Sequence, residues 1–268
     1  MTDGTGPDGA RVALVTGAAR GMGAEVAVQL AGAGWRVLAL DACADDDAVP
    51  YPLARPADLA DVVGRGAGRI VPVVADVRDA GALRAAAGRA EAEFGGLDAA
   101  VAAAGVIAGG TVLWRTPDAV RDVLWDVCVT GVWNTAAAVV PVMLRRPAPR
   151  TGRFVAVASA AGQRGLLHLA AYSAAKHAVV GLVRALAQDL AGTGVTASAV
   201  SPGSTDTAML RATAALYGLD GTAPLVEGMP LGRAVGAAEV ARAICWLCTP
   251  EAALFTGAVL AADGGFTA

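Results

Sequence analysis

The chain has 268 residues, of which 55% are hydrophobic and only 4% aromatic, and a net charge of −3. Scattered Lys and Arg leave no basic footprint for nucleic acid or an anionic lipid surface, and apolar runs are broken by Gly, Pro or charge before the roughly 20 residues of a membrane span. These properties predict one soluble α/β domain with a core built mainly from Ala, Val and Leu, in a cytoplasmic compartment that keeps Cys43, Cys128, Cys245 and Cys248 reduced.

Residues 1–10 are Gly, Asp and Thr rich, carry no signal-peptide pattern, and are expected to form a flexible tail before a domain over 11–268. Residues 11–16 are a short apolar run, followed at once by Gly17-Ala18-Ala19-Arg20-Gly21-Met22-Gly23 and a helical pattern over 24–33. This is strand, glycine turn, helix, in which the helix N-terminus offers unpaired N–H groups to a pyrophosphate. A second strand over 35–40 ends at Asp41, eighteen residues beyond Gly23. A carboxylate there accepts hydrogen bonds from an adenosine ribose and repels a 2′-phosphate, which favours NAD over NADP. Arg20 pulls weakly the other way, as a guanidinium able to reach a phosphate.

The acidic, Pro-bearing stretch 42–56 reads as a surface loop, either a cover for the cofactor or plain solvated chain. A helix over 57–64 leads to a third strand over 69–75 that ends in Asp76-Val77, where a carboxylate can meet the adenine amino group. A helix over 79–94 and a strand over 98–102 then run into Ala103-Ala104-Gly105, whose lack of bulk admits a nicotinamide-side ribose. Strands alternating with helices predict a doubly wound, Rossmann-type parallel sheet of about seven strands with helices on both faces, and ligands beyond the carboxyl ends of the strands.

A long helix over 117–144 contains Cys128 and Asn134, and a strand over 155–158 ends just before Ser159. Tyr172 and Lys176 follow on a helix that runs to about 190, four residues apart and so on one helix face. Tyr ionises near about 10 and Lys near about 10.4 when isolated, but a fixed positive charge beside a phenol favours the phenolate. By itself the pair reads better as an exposed helical face that happens to carry Tyr and Lys. A strand over 195–201 ends in Pro202-Gly203, and a loop with Thr205 and Thr207 opens a Gly- and Pro-punctuated lid over 206–233. A helix over 237–247 and a strand over 258–262 close the domain. Cys245 and Cys248 form a C-x-x-C inside an apolar helical stripe, which reads as core packing with no metal site.

Taken together, TGAARGMG, Asp41, ADV at 75–77, Ser159 thirteen residues before Tyr172, Tyr172-x-x-x-Lys176, and Pro202-Gly203 with Thr207 resemble the short-chain dehydrogenase/reductase family over about residues 11–266. YPLARPADL at 51–59, VAAAGVIAGG at 101–110 and the terminal ADGGFTA look like its mycofactocin-coupled branch. The resemblance implies that Tyr172 is the general base for alcohol oxidation, Lys176 lowers its pKa and holds the nicotinamide ribose, and Ser159 binds the substrate oxygen. It implies that NAD lies on Gly17, Arg20, Gly21, Met22, Gly23, Asp41, Asp76, Val77, Ala104, Gly105, Pro202, Gly203, Thr205 and Thr207, and that the protein is a homotetramer. The finer likeness implies a tightly held NAD recycled by a redox carrier.

Three positions depart from the family pattern. Cys128 replaces an Asn that anchors a water relay to the Lys, and a thiol is a weak hydrogen-bonding group. Asn134, six residues on, faces elsewhere and cannot stand in. Ala102-Ala103-Ala104-Gly105 and Ser198 replace other family asparagines. The expected activity is hydride transfer between NAD and a mostly apolar secondary alcohol or ketone. A catalytically weak NAD-binding or scaffold protein of the same fold is the alternative, with Cys128 as its mark.

Overall fold

A computed structural model describes residues 9–268; most of the expected tail lies outside the described residues. The glycine turn joins β1 (Val12–Thr16) to α1 (Gly21–Gly32). The chain continues through β2 (Arg36–Asp41), α2 (Pro56–Gly64), β3 (Ile70–Val74), α3 (Ala80–Phe94) and β4 (Ala99–Ala102). Next come α4 (Asp118–Trp125), a π-helical turn (Asp126–Thr130), α5 (Gly131–Arg145), β5 (Arg153–Val157), α6 (Ala170–Asp189) and β6 (Thr196–Pro202). The last elements are β7 (Thr205–Asp206), α7 (Ala208–Leu216), β8 (Val235–Gly236), α8 (Ala237–Leu247) and β9 (Val259–Ala262).

The seven-stranded sheet has the order β3-β2-β1-β4-β5-β6-β9, and every pair is parallel. The strands are apolar on both faces because both are covered. Val12 and Leu14 of β1 point into a core with Leu38, Leu83, Val139 and Val183, under α3, α5 and α6. Ala13 and Val15 point into a second core with Val26, Leu30, Val240 and Ile244, under α1 and α8. Each fully buried Leu or Val contributes about 1.5–3 kcal/mol. Alanines fill the layers between, as at Ala24, Ala27 and Ala31 of α1, so the helices lie close on the strands.

The expected single helix over 117–144 is interrupted: α4 and α5 are joined by the π-helical turn, which holds Cys128. The whole run Asp118–Arg145 is long and apolar enough, by length and composition, to cross a membrane, contrary to the reading that no run reaches that limit. Here 56% of its most apolar window is buried against the sheet. The stretch 206–233, expected to form a lid, contains α7 and is bracketed by the pairing of β7 with β8, a pair too short to show a period in the sequence.

Candidate active site

β1 has β2 on one side and β4 on the other, so the chain leaves the sheet in opposite directions beyond their carboxyl ends and a crevice opens there. A groove of about 640 Å³ runs along it, lined by Gly17, Arg20, Gly21, Met22, Gly23, Asp41, Asp76, Val77, Ala104, Gly105 and Thr207. The turn leaves no room for side chains: a Cβ on Gly17, at φ +65°, would lie 2.6 Å from the Ala104 Cα, and one on Gly23 would lie 2.1 Å from the Gly17 carbonyl oxygen. The backbone of β1, β4 and the start of α1 therefore meets at van der Waals contact, and the N-terminus of α1 faces the groove. Asp41 supports the turn, its carboxylate accepting from the Ala19 and Cys43 N–H groups at 3.0 Å each. A glycine cradle at a helix N-terminus with a carboxylate at the end of the next strand fits the pyrophosphate and ribose of a dinucleotide.

Two groove residues are already engaged. Arg20 donates to the Pro52 carbonyl at 2.8 Å and lies over the Tyr51 ring. Asp76 accepts from Arg78, whose guanidinium also pairs with Asp46 at 2.7 Å; the bonds from Arg78 outweigh burial and hold the Asp76 carboxyl below its ordinary value, although burial opposes them as the largest single influence. Both attachments tie the stretch 42–56 over the groove. Tyr51, at its centre, accepts from the Ile107 N–H at 3.2 Å. Burial pushes its phenol up to about 12, and it lies within electrostatic reach of Tyr172. Neither Tyr51 nor Arg78 was among the residues expected from the sequence; the loop has no periodicity to mark which side chain turns inward.

Ser159, Tyr172 and Lys176 are brought together. The carboxyl end of β5 delivers Ser159, which accepts from the Ala161 N–H at 3.1 Å and so caps a short 3₁₀ turn. Its hydroxyl lies near the Tyr172 phenol and favours the phenolate, the weakest of the influences on that group. The first turns of α6 deliver Tyr172 and Lys176, which are 7% and 4% exposed. Lys176 Nζ donates to the Val157 carbonyl at 2.9 Å and stands 5.8 Å from the Tyr172 ring centroid.

Burial sets the protonation of both groups: it pushes the Tyr172 phenol above its ordinary value and the Lys176 ammonium below. Burial first and Cys128 second work on the phenol against the lowering expected from a lysine neighbour.

Cys128 belongs to this cluster. A Cβ built on Gly105 would lie 3.6 Å from Lys176 Nζ and 3.7 Å from Cys128 Sγ, so the thiol and the ammonium face the same gap. The thiol donates weakly to the Val106 carbonyl at 3.6 Å. Asn134 points away, donating to the Val77 carbonyl at 3.1 Å.

Pro202, Gly203 and Thr205, expected to touch the cofactor, line a second cavity of about 320 Å³ that meets the groove at Met22, Thr207 and Met209. Ser159 and Tyr172 sit in its wall, with Ile107, Leu166, Leu169, Leu210 and Phe266. Its other hydroxyls are turned to the backbone: Ser204 donates to Leu225, Thr205 to Gly203 and Thr213 to Met209. Phe266, two residues from the end of the chain, was not singled out in the sequence. It is held by Arg164, which stacks on its ring and donates to its carbonyl at 3.1 Å.

A family model described as enoyl-(acyl carrier protein) reductase matches residues 17–267. The chain is 37% identical to an uncharacterised oxidoreductase of Mycobacterium tuberculosis, over 96% of each. It is 35% identical to the (-)-trans-carveol dehydrogenase of Rhodococcus erythropolis, over 96% of this chain and 97% of that one. The crystal structure of carveol dehydrogenase from Mycobacterium avium in complex with NAD superposes with a TM-score of 0.90 at 33% identity, covering 98% of this chain and 99% of that one. The matches cover nearly the whole chain, and with them it belongs to the short-chain dehydrogenase/reductase family of oxidoreductases.

Proposed function

We propose that the protein transfers a hydride between NAD and a compact, apolar secondary alcohol or its ketone. One observation carries this reading: Ser159, Tyr172 and Lys176 stand where a dinucleotide-sized groove meets an apolar cavity whose other hydroxyls face the backbone. Both carveol dehydrogenases named above support a cyclic alcohol as the substrate class, and the NAD in one of them supports the cofactor.

NAD, when bound, supplies the hydride acceptor and, in its oxidised form, a positively charged ring. Gly17, Gly21 and Gly23 would hold the pyrophosphate, with Arg20 and Met22 beside it, and Asp41 the adenosine ribose. Asp76 and Val77 would flank the adenine, Lys176, Ala104 and Gly105 the nicotinamide ribose, and Thr207 the carboxamide end. Ser159 donates to the substrate oxygen and steadies the charge that develops there. Tyr172 takes the hydroxyl proton in oxidation and returns it in reduction. With burial holding the phenol up, positive charge at the nicotinamide end of the groove is what brings it down toward a working base. Lys176, anchored on Val157, then has protons free to pass toward the Cys128 side of the gap.

The reading extends to a nucleotide retained through turnover and reoxidised in place by a mycofactocin-type redox carrier. It is supported by the three ties of the 42–56 stretch, Arg20 to Pro52, Arg78 to Asp46 and Tyr51 to Ile107. A cytoplasmic location belongs to it as well, in keeping with four free thiols.

Tyr172→Phe tests the assignment: turnover with a cyclic secondary alcohol and an artificial electron acceptor falls by about 10³-fold while NAD binding persists. Retained turnover overturns it, and a wild-type protein that binds NAD yet reduces no acceptor returns the chain to a nucleotide-binding role. Retention of NAD is checked by denaturing freshly purified protein and assaying the supernatant for nicotinamide nucleotide, which is expected near one equivalent; its absence removes that extension.

A further inference from the structure

The substrate cavity has a tie across its solvent edge. Tyr217 follows α7, and its ring lines the cavity while its hydroxyl donates to the Leu167 carbonyl at 2.6 Å in an exposed setting. The inner part of this side chain is thus cavity wall and the outer part is a bridge to the turn before α6. That turn carries two other wall residues, Leu166 and Leu169. It is anchored twice at consecutive carbonyls, since the Gly110 N–H donates to His168 at 3.0 Å. His168 itself is in the left-handed region at φ +57°, a conformation a non-glycine residue keeps only when its surroundings hold it.

We propose that Tyr217 is the residue that sets substrate size: its bond to Leu167 fixes its ring at the cavity's solvent edge, narrows the opening there and favours compact alcohols over larger ones. This rests on the alcohol oxidoreductase reading above and names the limit of its substrate class. The cavity, about 320 Å³, opens to solvent on the side where this tie lies. A single substituted ring fits on the inner side of this tie, whereas a second ring has to pass it.

The test compares cyclohexanol with 4-cyclohexylcyclohexanol, which presents the same reacting ring and adds a second one. The whole protein is used as purified, with an artificial electron acceptor, and kcat/KM is measured for both alcohols in the wild type, Tyr217→Phe and Tyr217→Ala. Affinities of the same alcohols are measured by equilibrium dialysis. Tyr217→Phe keeps the wall and removes only the bridge, and it is expected to raise the ratio of two-ring to one-ring kcat/KM, and the matching affinity ratio, by roughly tenfold. Tyr217→Ala is expected to raise both at least as far.

A ratio unmoved in Tyr217→Phe overturns the proposal, including the case in which only Tyr217→Ala moves it, because the ring and not the bridge would then set size. If no variant oxidises either alcohol, the proposed activity fails, and the affinity ratio alone decides whether Tyr217 gates the cavity.

Discussion

Asp41 accepts one backbone N–H on each oxygen, from Ala19 in the glycine turn and from Cys43 at the start of the covering stretch. Each oxygen keeps a second lone pair, so the carboxylate can still accept from ribose hydroxyls while its charge repels a 2′-phosphate. Asp41→Asn removes the charge and leaves one acceptor in place of two. The expected outcome is that the ratio of NADP to NAD dissociation constants falls by about tenfold or more, because a unit charge within a few ångströms of phosphate is worth at least about 1.4 kcal/mol at a partly exposed site. Titration of nucleotide-free protein with both nucleotides measures it. At this scale Tyr172, Lys176, Ser159 and Asp41 were legible in the sequence through the family motif set they belong to, since helix spacing or a strand end alone would not have singled any of them out. Tyr51, Tyr217 and Phe266 were not, because each sits on irregular chain whose inward side is decided by packing between distant segments.

Elements were legible to within one or two residues wherever an apolar period persisted, as in β1 to β4 and α8. The π-helical turn was not, since Asp126 to Thr130 has nothing in its composition that distinguishes i→i+5 from i→i+4 bonding. Short pairings such as β7 with β8 were hidden for the same reason. The start of α8 shows how local chemistry fixes a boundary. Gly236 has no side chain to cap the helix, and Glu239 fills that role by accepting from the Gly236 N–H at 2.7 Å while pairing with Arg233. The Arg233 bond, and then the Gly236 N–H, hold the Glu239 carboxyl at about 2.

A carboxyl depressed in the fold stabilises it fully above the unfolded value of about 4.3 and loses that contribution as pH falls toward the folded one. Glu239→Gln is therefore expected to lower the thermal midpoint at pH 7 and to differ less and less from the wild type as pH is taken from about 5 toward 3. Parallel melting curves over that range check it, and a gap that stays constant would show that the ionised carboxylate is not what holds the helix start.

For the molecule as a whole, the alternation of apolar strand and helix was enough to predict a seven-stranded parallel sheet, and the sheet order then places the groove at the point where β1 parts from its two neighbours. The outer surface asks for something more. Trp125 at the end of α4 and Trp133 on α5 are 47% and 64% exposed. Eight residues on a regular helix would leave them about 80° apart, and the π-helical turn, which takes in one extra residue, brings them closer to register on one face. Two indoles on one outer helix face are the kind of apolar surface that marks an interface. We expect this face to pair with a second copy across a two-fold axis, as one contact of a homotetramer. Light scattering on the full chain is expected to give the mass of four copies. Trp133→Asp places a charge at the centre of the contact and is expected to shift the protein to a smaller species while its circular dichroism stays that of the wild type. A tetramer that survives this substitution would move the contact elsewhere, and a monomeric wild type would leave both indoles facing water.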